Sequence, residues 1–166
     1  MSSNGTRASS HRIALGDINP NNLGQLKRIN TVIFPINYQP SFYKDVLEVG
    51  EFAKIAYFND VCVAAVCCRK DPTPEATAPH DLYIATLGVL APYRRLGLGT
   101  ALLEHILEHA AEDKKIGKVY LHVQTTNEEA LAFYKKHGFE QKEKVANYYP
   151  NFDDSDAYRL EKVLVQ

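Results

Sequence analysis

The chain has 166 residues, close to the usual size of one domain, and 45% of them are apolar, so it can bury a core without disulfide or metal staples. Nineteen Lys and Arg against twenty Asp and Glu give a formal charge of -1, which excludes the strongly basic surface of a general nucleic-acid or acidic-membrane binder. No apolar run approaches membrane-spanning length and the opening MSSNGTRASS lacks the apolar stretch of a secretory signal, so a soluble, intracellular protein with neither nucleic-acid nor membrane partners is expected.

The first ten residues are small, polar and aperiodic and read as a disordered tail, leaving residues 11–166 as a single domain. Residues 12–15 form a short strand. Asn19 and Pro20 suit the N-cap and first position of a helix on which Leu23, Leu26, Ile29 and Ile33 recur at helical spacing. Phe34-Pro35 stops it, because proline drives the preceding residue out of the helical region. After a loop through Ile36, Asn37 and Tyr38, Ser41 can cap a second short helix carrying Phe42, Val46, Leu47 and Val49, which Gly50 closes.

Residues 52–58 and 61–68, separated by Asn59-Asp60, read as a hairpin, and the run KDPTPEATAPHD that follows reads as a loop. Within the second strand Cys67 and Cys68 are adjacent, and with Cys62 they are expected to be reduced core thiols. Residues 82–90 are almost continuously apolar, as a central strand buried on both faces would be. A helix over 98–113, a strand over 119–124, a helix from the Asn127 cap to residue 137, and strands over 139–148 and 157–164 complete the chain. This order predicts an α/β fold, a mixed central sheet flanked by about four helices.

The segment with chemical content is Arg94-Arg95-Leu96-Gly97-Leu98-Gly99-Thr100, where arginines and glycines lead straight into a helix. Backbone N-H groups and the positive helix end can there receive a diphosphate, and a glycine lets the backbone approach closely. The pattern differs from a P-loop and from a dinucleotide fingerprint, and by itself it fits a simple turning loop equally well.

Taken with Leu121-His122-Val123 and with Asn127-x-x-Ala130-x-x-Phe133-Tyr134-x-x-x-Gly138-Phe139, the stretch from Tyr83 to Gly99 resembles the GCN5-related N-acetyltransferase (GNAT) superfamily. A closer resemblance, to the catalytic subunits of the E-type N-terminal acetyltransferases, is carried by Phe34-Pro35-Ile36-x-Tyr38, Phe42-Tyr43-x-Asp45-Val46-Leu47, residues 56–60, Leu82-Tyr83-Ile84, Thr86-Leu87-Gly88 and Asn147-Tyr148-Tyr149. It covers the chain from about Ile13 to Leu164, leaving aside the proline-rich loop.

The resemblance implies a GNAT fold and transfer of acetyl from acetyl-CoA to the α-amine of peptide or nascent-chain N-termini that retain Met, often before an apolar or amphipathic residue. Internal lysine acetylation is also attributed to the family. It puts Tyr83 and His122 in the role of water-assisted general base. For acetyl-CoA it implies Leu87, Gly88, Val89, Arg94, Arg95, Leu96, Gly97, Leu98, Gly99, Thr100, Asn127 and Tyr134, with no metal. Asn127 can equally be only a helix cap, and Tyr134 only an inward aromatic. Phe34, Pro35, Ile36, Tyr38, Ala85, Tyr148 and Tyr149 match the peptide site, where aromatics with polar tips can grip backbone around an apolar first side chain. The family association with the auxiliary and catalytic subunits of ribosome-bound NatA implies those partners, cytoplasmic and nuclear residence, and a link to sister chromatid cohesion.

Two departures stand out: Ala85 occupies a position where the family usually has Met, which predicts a roomier pocket, and Pro150-Asn151-Phe152 replaces a commonly basic, aliphatic stretch. Two other readings compete. His105-Ile106-Leu107-Glu108-His109 fits the H-x-x-E-H pattern of inverted zinc peptidases, but its histidines fall off the apolar stripe and are expected on a solvated helix face. An acetyl-CoA-binding scaffold subunit of NatA with little turnover is the other, since fold alone does not prove chemistry.

Overall fold

A computed structural model describes residues 12–34, 38–73, 78–150, 152–153 and 155–164. The expected N-terminal tail, and Pro35 and Ile36 of the expected peptide loop, lie outside the described residues. Seven strands form one sheet in the order β1-β2-β3-β4-β5-β7-β6, accompanied by four α-helices among the described residues. The chain divides into two compact units, Met1–Arg69 with Ile84–His109 and Lys70–Tyr83 with Ala110–Gln166.

In the first unit, β1 (Ile13–Asp17) runs antiparallel to β2 (Ala53–Phe58). Strand β2 turns through Asn59 and Asp60, both at positive φ (51° and 67°), into β3 (Val61–Pro72), as a two-residue hairpin turn requires. Helix α1 (Leu23–Ile33) lays Leu26 and Ile29 into a core shared with Tyr43 and Val46 of α2 (Pro40–Val46) and with Ile55, Ala65 and Cys67 of the hairpin. Phe34 is extended at φ -115° and ψ 123°, so the helix stops before Pro35 as expected. Strand β4 (His80–Val89) leads through a 3-10 turn at Ala91–Tyr93 to α3 (Leu98–Glu112), whose Leu98, Leu102, Leu103 and Ile106 are buried.

Three local expectations are corrected. Asn19 does not cap α1: its Oδ1 accepts from the N-H groups of Asn21 (2.9 Å) and Asn22 (3.1 Å), closing an Asx-type turn, and the helix starts at Leu23. Ser41 is inside α2, which starts one residue earlier at Pro40 with Gln39 as N-cap, because proline needs no donor at the first helical position. Gly50, at φ +61°, lies beyond the end of α2 and opens a 3-10 turn, Gly50–Phe52. The proline-rich loop is also shorter than expected, since β3 continues to Pro72 and β4 begins at His80. The Thr73 N-H donates to the Pro79 carbonyl at 2.8 Å across its neck.

One buried charge stands out in this unit. Lys54 on β2 hydrogen-bonds Asp17 and Glu51, the latter at 2.9 Å. Burial opposes its ammonium charge, but these two hydrogen bonds outweigh burial and raise its pKa, while they lower those of both carboxyls.

In the second unit, β4 pairs in parallel with β5 (Ile116–Gln124) from His80 to Tyr83. Strand β5 is antiparallel to β7 (Ala157–Val163), and β7 to β6 (Glu140–Val145). Helix α4 (Glu128–Lys136) begins where Asn127 Oδ1 accepts the Ala130 N-H at 3.1 Å and is followed by Gly138 at φ +90°. Its Glu128 and Glu129 stand at the positive end of the helix dipole. Ile116, Val119, Leu121, Val123, Ala157, Leu160, Tyr134 and Phe139 are buried in this unit.

Candidate active site

Within the second unit, alternation along β5 puts Tyr120 and His122 on one face, and parallel pairing sets Tyr83 opposite Tyr120. The Tyr83 hydroxyl lies 3.1 Å from His122 Nδ1 and 2.7 Å from the Tyr148 hydroxyl. The imidazole is stacked on the Tyr148 ring at 4.1 Å between centroids, and Tyr149 meets Tyr148 edge-on at 4.8 Å. Tyr83 itself is buried, against the Tyr120 ring at 4.8 Å.

A phenol has one proton to give and two lone pairs to accept with. Tyr83 can therefore donate to only one neighbour at a time, and the arrangement Tyr148 to Tyr83 to His122 Nδ1 satisfies all three groups. In that order His122 Nδ1 is the acceptor; in the reverse order it donates to Tyr83, which donates to Tyr148. The three groups are thus joined by hydrogen bonds to a side chain whose ordinary pKa lies in the physiological range.

The sequence placed Tyr83 and His122 together, and the structure brings them together. It also sets Tyr148, expected in a wall of the peptide site, against the Tyr83 hydroxyl. Three further residues support the pair without having been singled out. Tyr120 hydrogen-bonds Asp71, and its ring carries the Arg159 guanidinium at 4.6 Å. Its spacing of two from His122 in a strand was the available signal.

In the first unit, β4 ends in the anion-binding candidate. Arg94 donates from Nε to the Val89 carbonyl at 3.0 Å, tying the loop back to the strand. Arg95 at φ +66° and Gly97 at φ +95° turn the chain, and the Ala101 N-H then reaches the Gly97 carbonyl at 3.0 Å to start α3. Arg94, Arg95, Leu96 and Gly97 are exposed, while Leu98 anchors the helix in the core. Exposed arginines, a left-handed glycine and a fresh helix N-terminus form a cradle whose donors suit the pyrophosphate of a coenzyme A thioester.

The same unit holds an aromatic cluster: Phe34 and Tyr38 meet edge-on at 6.5 Å, and Tyr38 stacks on Phe42 at 4.5 Å. A cavity of about 340 Å³ opens beside it, lined by Tyr38, Phe42, Asp45, Cys68, Arg69 and Ala85 among others. Ala85 is one of its lining residues. Of the residues assigned on α4, Asn127 is the helix cap, and the Tyr134 ring is buried edge-on to Phe139 at 5.4 Å.

The sequence pattern of the Acetyltransferase (GNAT) family matches residues 23–139. The chain belongs to that acetyltransferase family. It is 55% identical over 153 residues to N-alpha-acetyltransferase 50 of Danio rerio, covering 92% of this chain and 89% of the relative. It is 50% identical to "Probable N-acetyltransferase san" of Drosophila melanogaster, over 96% of this chain and 83% of that one. Among solved structures, Arabidopsis thaliana Naa50 in complex with the bisubstrate analogue CoA-Ac-MVNAL superimposes with a TM-score of 0.84 at 46% identity, covering 91% of this chain and 98% of that chain.

Proposed function

We propose that this chain is an acetyl-CoA-dependent N-terminal α-acetyltransferase acting on protein N-termini that retain Met. The observation that carries this reading is the Tyr148–Tyr83–His122 hydrogen-bonded set in a chain so similar to Naa50, whose solved complex holds an analogue that joins coenzyme A to a Met-starting peptide. Residues 11–166 act as one catalytic domain.

Acetyl-CoA, when bound, supplies an acetyl thioester that an amine can attack. The α-amine, with an ordinary pKa of about 7.7 to 8.0, is mostly protonated at neutral pH and must first lose a proton. His122 takes that proton through water and Tyr83 holds the water or relays it, since a phenol near pKa ~10 is a poor base by itself. Backbone N-H groups around Leu87 and Val89 stabilise the charge that develops on the carbonyl oxygen. Arg94 to Thr100 hold the pyrophosphate, with Leu87, Gly88, Asn127 and Tyr134 completing the coenzyme contacts. The Tyr134 hydroxyl donates to the departing thiolate. Phe34, Pro35, Ile36, Tyr38, Ala85, Tyr148 and Tyr149 hold the peptide.

Steady-state acetylation of a Met-Leu-starting peptide with acetyl-CoA tests the assignment. Turnover dependent on a free α-amine is the expected result. Tight coenzyme binding without turnover would favour the scaffold role instead. The same family resemblance supports cytoplasmic and nuclear residence, assembly with NatA subunits, a role in cohesion and a secondary activity on lysine.

The cavity at Ala85 adds a prediction about selectivity. Ala85→Met fills part of about 340 Å³ of space beside Tyr38 and Phe42, so peptides with bulky first or second residues should lose kcat/KM relative to smaller ones by roughly 10-fold. An unchanged ranking across a peptide panel would remove Ala85 from the specificity pocket.

A further inference from the structure

The histidines of the H-x-x-E-H pattern are not on a solvated face. The His105 side chain is 16% exposed and that of His109 33%, and their rings lie 4.1 Å apart on α3. What covers them is the 3-10 turn before β2. Glu51 Oε1 sits 3.1 Å from His105 Nε2 and 3.7 Å from His109 Nε2, and one donor atom from each of the three side chains lies within 4.8 Å of the others.

We propose that Glu51, His105 and His109 form a binding site for a divalent transition metal of the zinc type, a structural site separate from the acetyl-transfer residues. Two of the three donor separations suit a coordination polyhedron, and the third lies within 4.8 Å. With ligand bonds of about 2.0 to 2.1 Å, tetrahedral geometry sets donor atoms roughly 3.3 to 3.4 Å apart, and the two measured separations bracket that value. Two imidazoles and a carboxylate are also a donor set that zinc accepts, with water in the fourth position.

The ligands are partly preset. His109 Nδ1 donates to the His105 carbonyl at 2.9 Å, which places its proton on Nδ1 and leaves the Nε2 lone pair facing Glu51. His105 Nε2 lies 3.1 Å from the Glu51 carbonyl oxygen and has to give up its proton to bind metal. Lys54 competes for Glu51, but it also hydrogen-bonds Asp17, which keeps a counterion for the ammonium once the Glu51 carboxylate turns to a metal. Glu108, the acidic member of the sequence pattern, is exposed and outside the cluster, so the constellation is not that of a peptidase. The metal would tie the Gly50–Phe52 turn to the helix that begins at the anion-binding loop.

The test is titration of the full chain, stripped by chelator, with Co²⁺ followed by its visible absorption and with Zn²⁺ followed by calorimetry and thermal melting. Parent, His109→Ala and Glu51→Gln are compared. Alanine is the best helix former, so His109→Ala folds, and its metal-free acetyltransferase rate is the same as the parent's. One equivalent of metal is expected to bind and raise the melting temperature. Each substitution should weaken affinity by at least about 10-fold. No binding by the parent at millimolar Zn²⁺, or binding that either variant leaves unchanged, would overturn the proposal.

Discussion

Tyr83→Phe is expected to lower kcat/KM for peptide acetylation by roughly 10²- to 10⁴-fold while leaving acetyl-CoA affinity intact. The substitution keeps the ring that lies against Tyr120 and His122 and removes the hydroxyl that joins Tyr148 to His122 Nδ1. His122→Ala should produce a loss of similar size, because both side chains serve one proton transfer. For the same reason the double variant should be little worse than either single one. Coenzyme affinity measured beside the rates separates this from a folding defect. A Tyr83→Phe enzyme with near-parent kcat/KM would dismiss the relay.

Gly88→Ala should be nearly as damaging by a different route. A β-carbon there would lie 2.9 Å from Ile33 Cγ2, 3.0 Å from Phe34 Cζ and 3.1 Å from Ile33 Cδ1. These side chains end α1 and open the segment assigned to the peptide, and Ile33 is branched and stiff, so relief requires movement of that segment. Overpacking of this kind costs about 1 to 3 kcal/mol of stability, and the peptide KM should rise more than that for acetyl-CoA. Gly24→Ala supplies the contrast, since nothing lies within 4 Å of its added carbon and α1 there is exposed. Replacing glycine inside a helix should stabilise by about 0.4 to 1 kcal/mol. Equal melting temperatures for the two variants would refute the steric argument.

Much of this fold was legible because its elements declare themselves locally. Leu23, Leu26, Ile29 and Ile33 mark a helix by period, Phe34-Pro35 ends it, and Asn59-Asp60 marks a hairpin turn by tolerance of positive φ. Errors fell where two local solutions compete. Asn19 satisfies turn donors as readily as helix donors, and the proline rule at Pro40 overrode the capping preference of Ser41. The proline-rich run looked like loop throughout, but Pro72 ends a strand, where a missing donor is harmless.

The site divides in the same way. Tyr83 and His122 were placed by motif, and Tyr120 could have been found by its alternation with His122. The Tyr148 contact joins positions 65 apart in the chain, and no local pattern carries that. The helical pair His105 and His109 was visible, but Glu51 is 54 positions away and only the tertiary fold lays it over them. Its arrival turns a face that looked wet into a half-buried one.

The cysteines of β3 carry a consequence for an enzyme that handles a thioester. A protein thiol exchanges acyl groups with a thioester only as the thiolate. Burial pushes Cys67 up to about 12 and pushes Cys68 and Cys62 upward as well. At neutral pH Cys67 is therefore held as the thiol. The fold thus suppresses the thiolate form that transthioesterification of its own sulfur would need, most strongly at the buried Cys67 and Cys68.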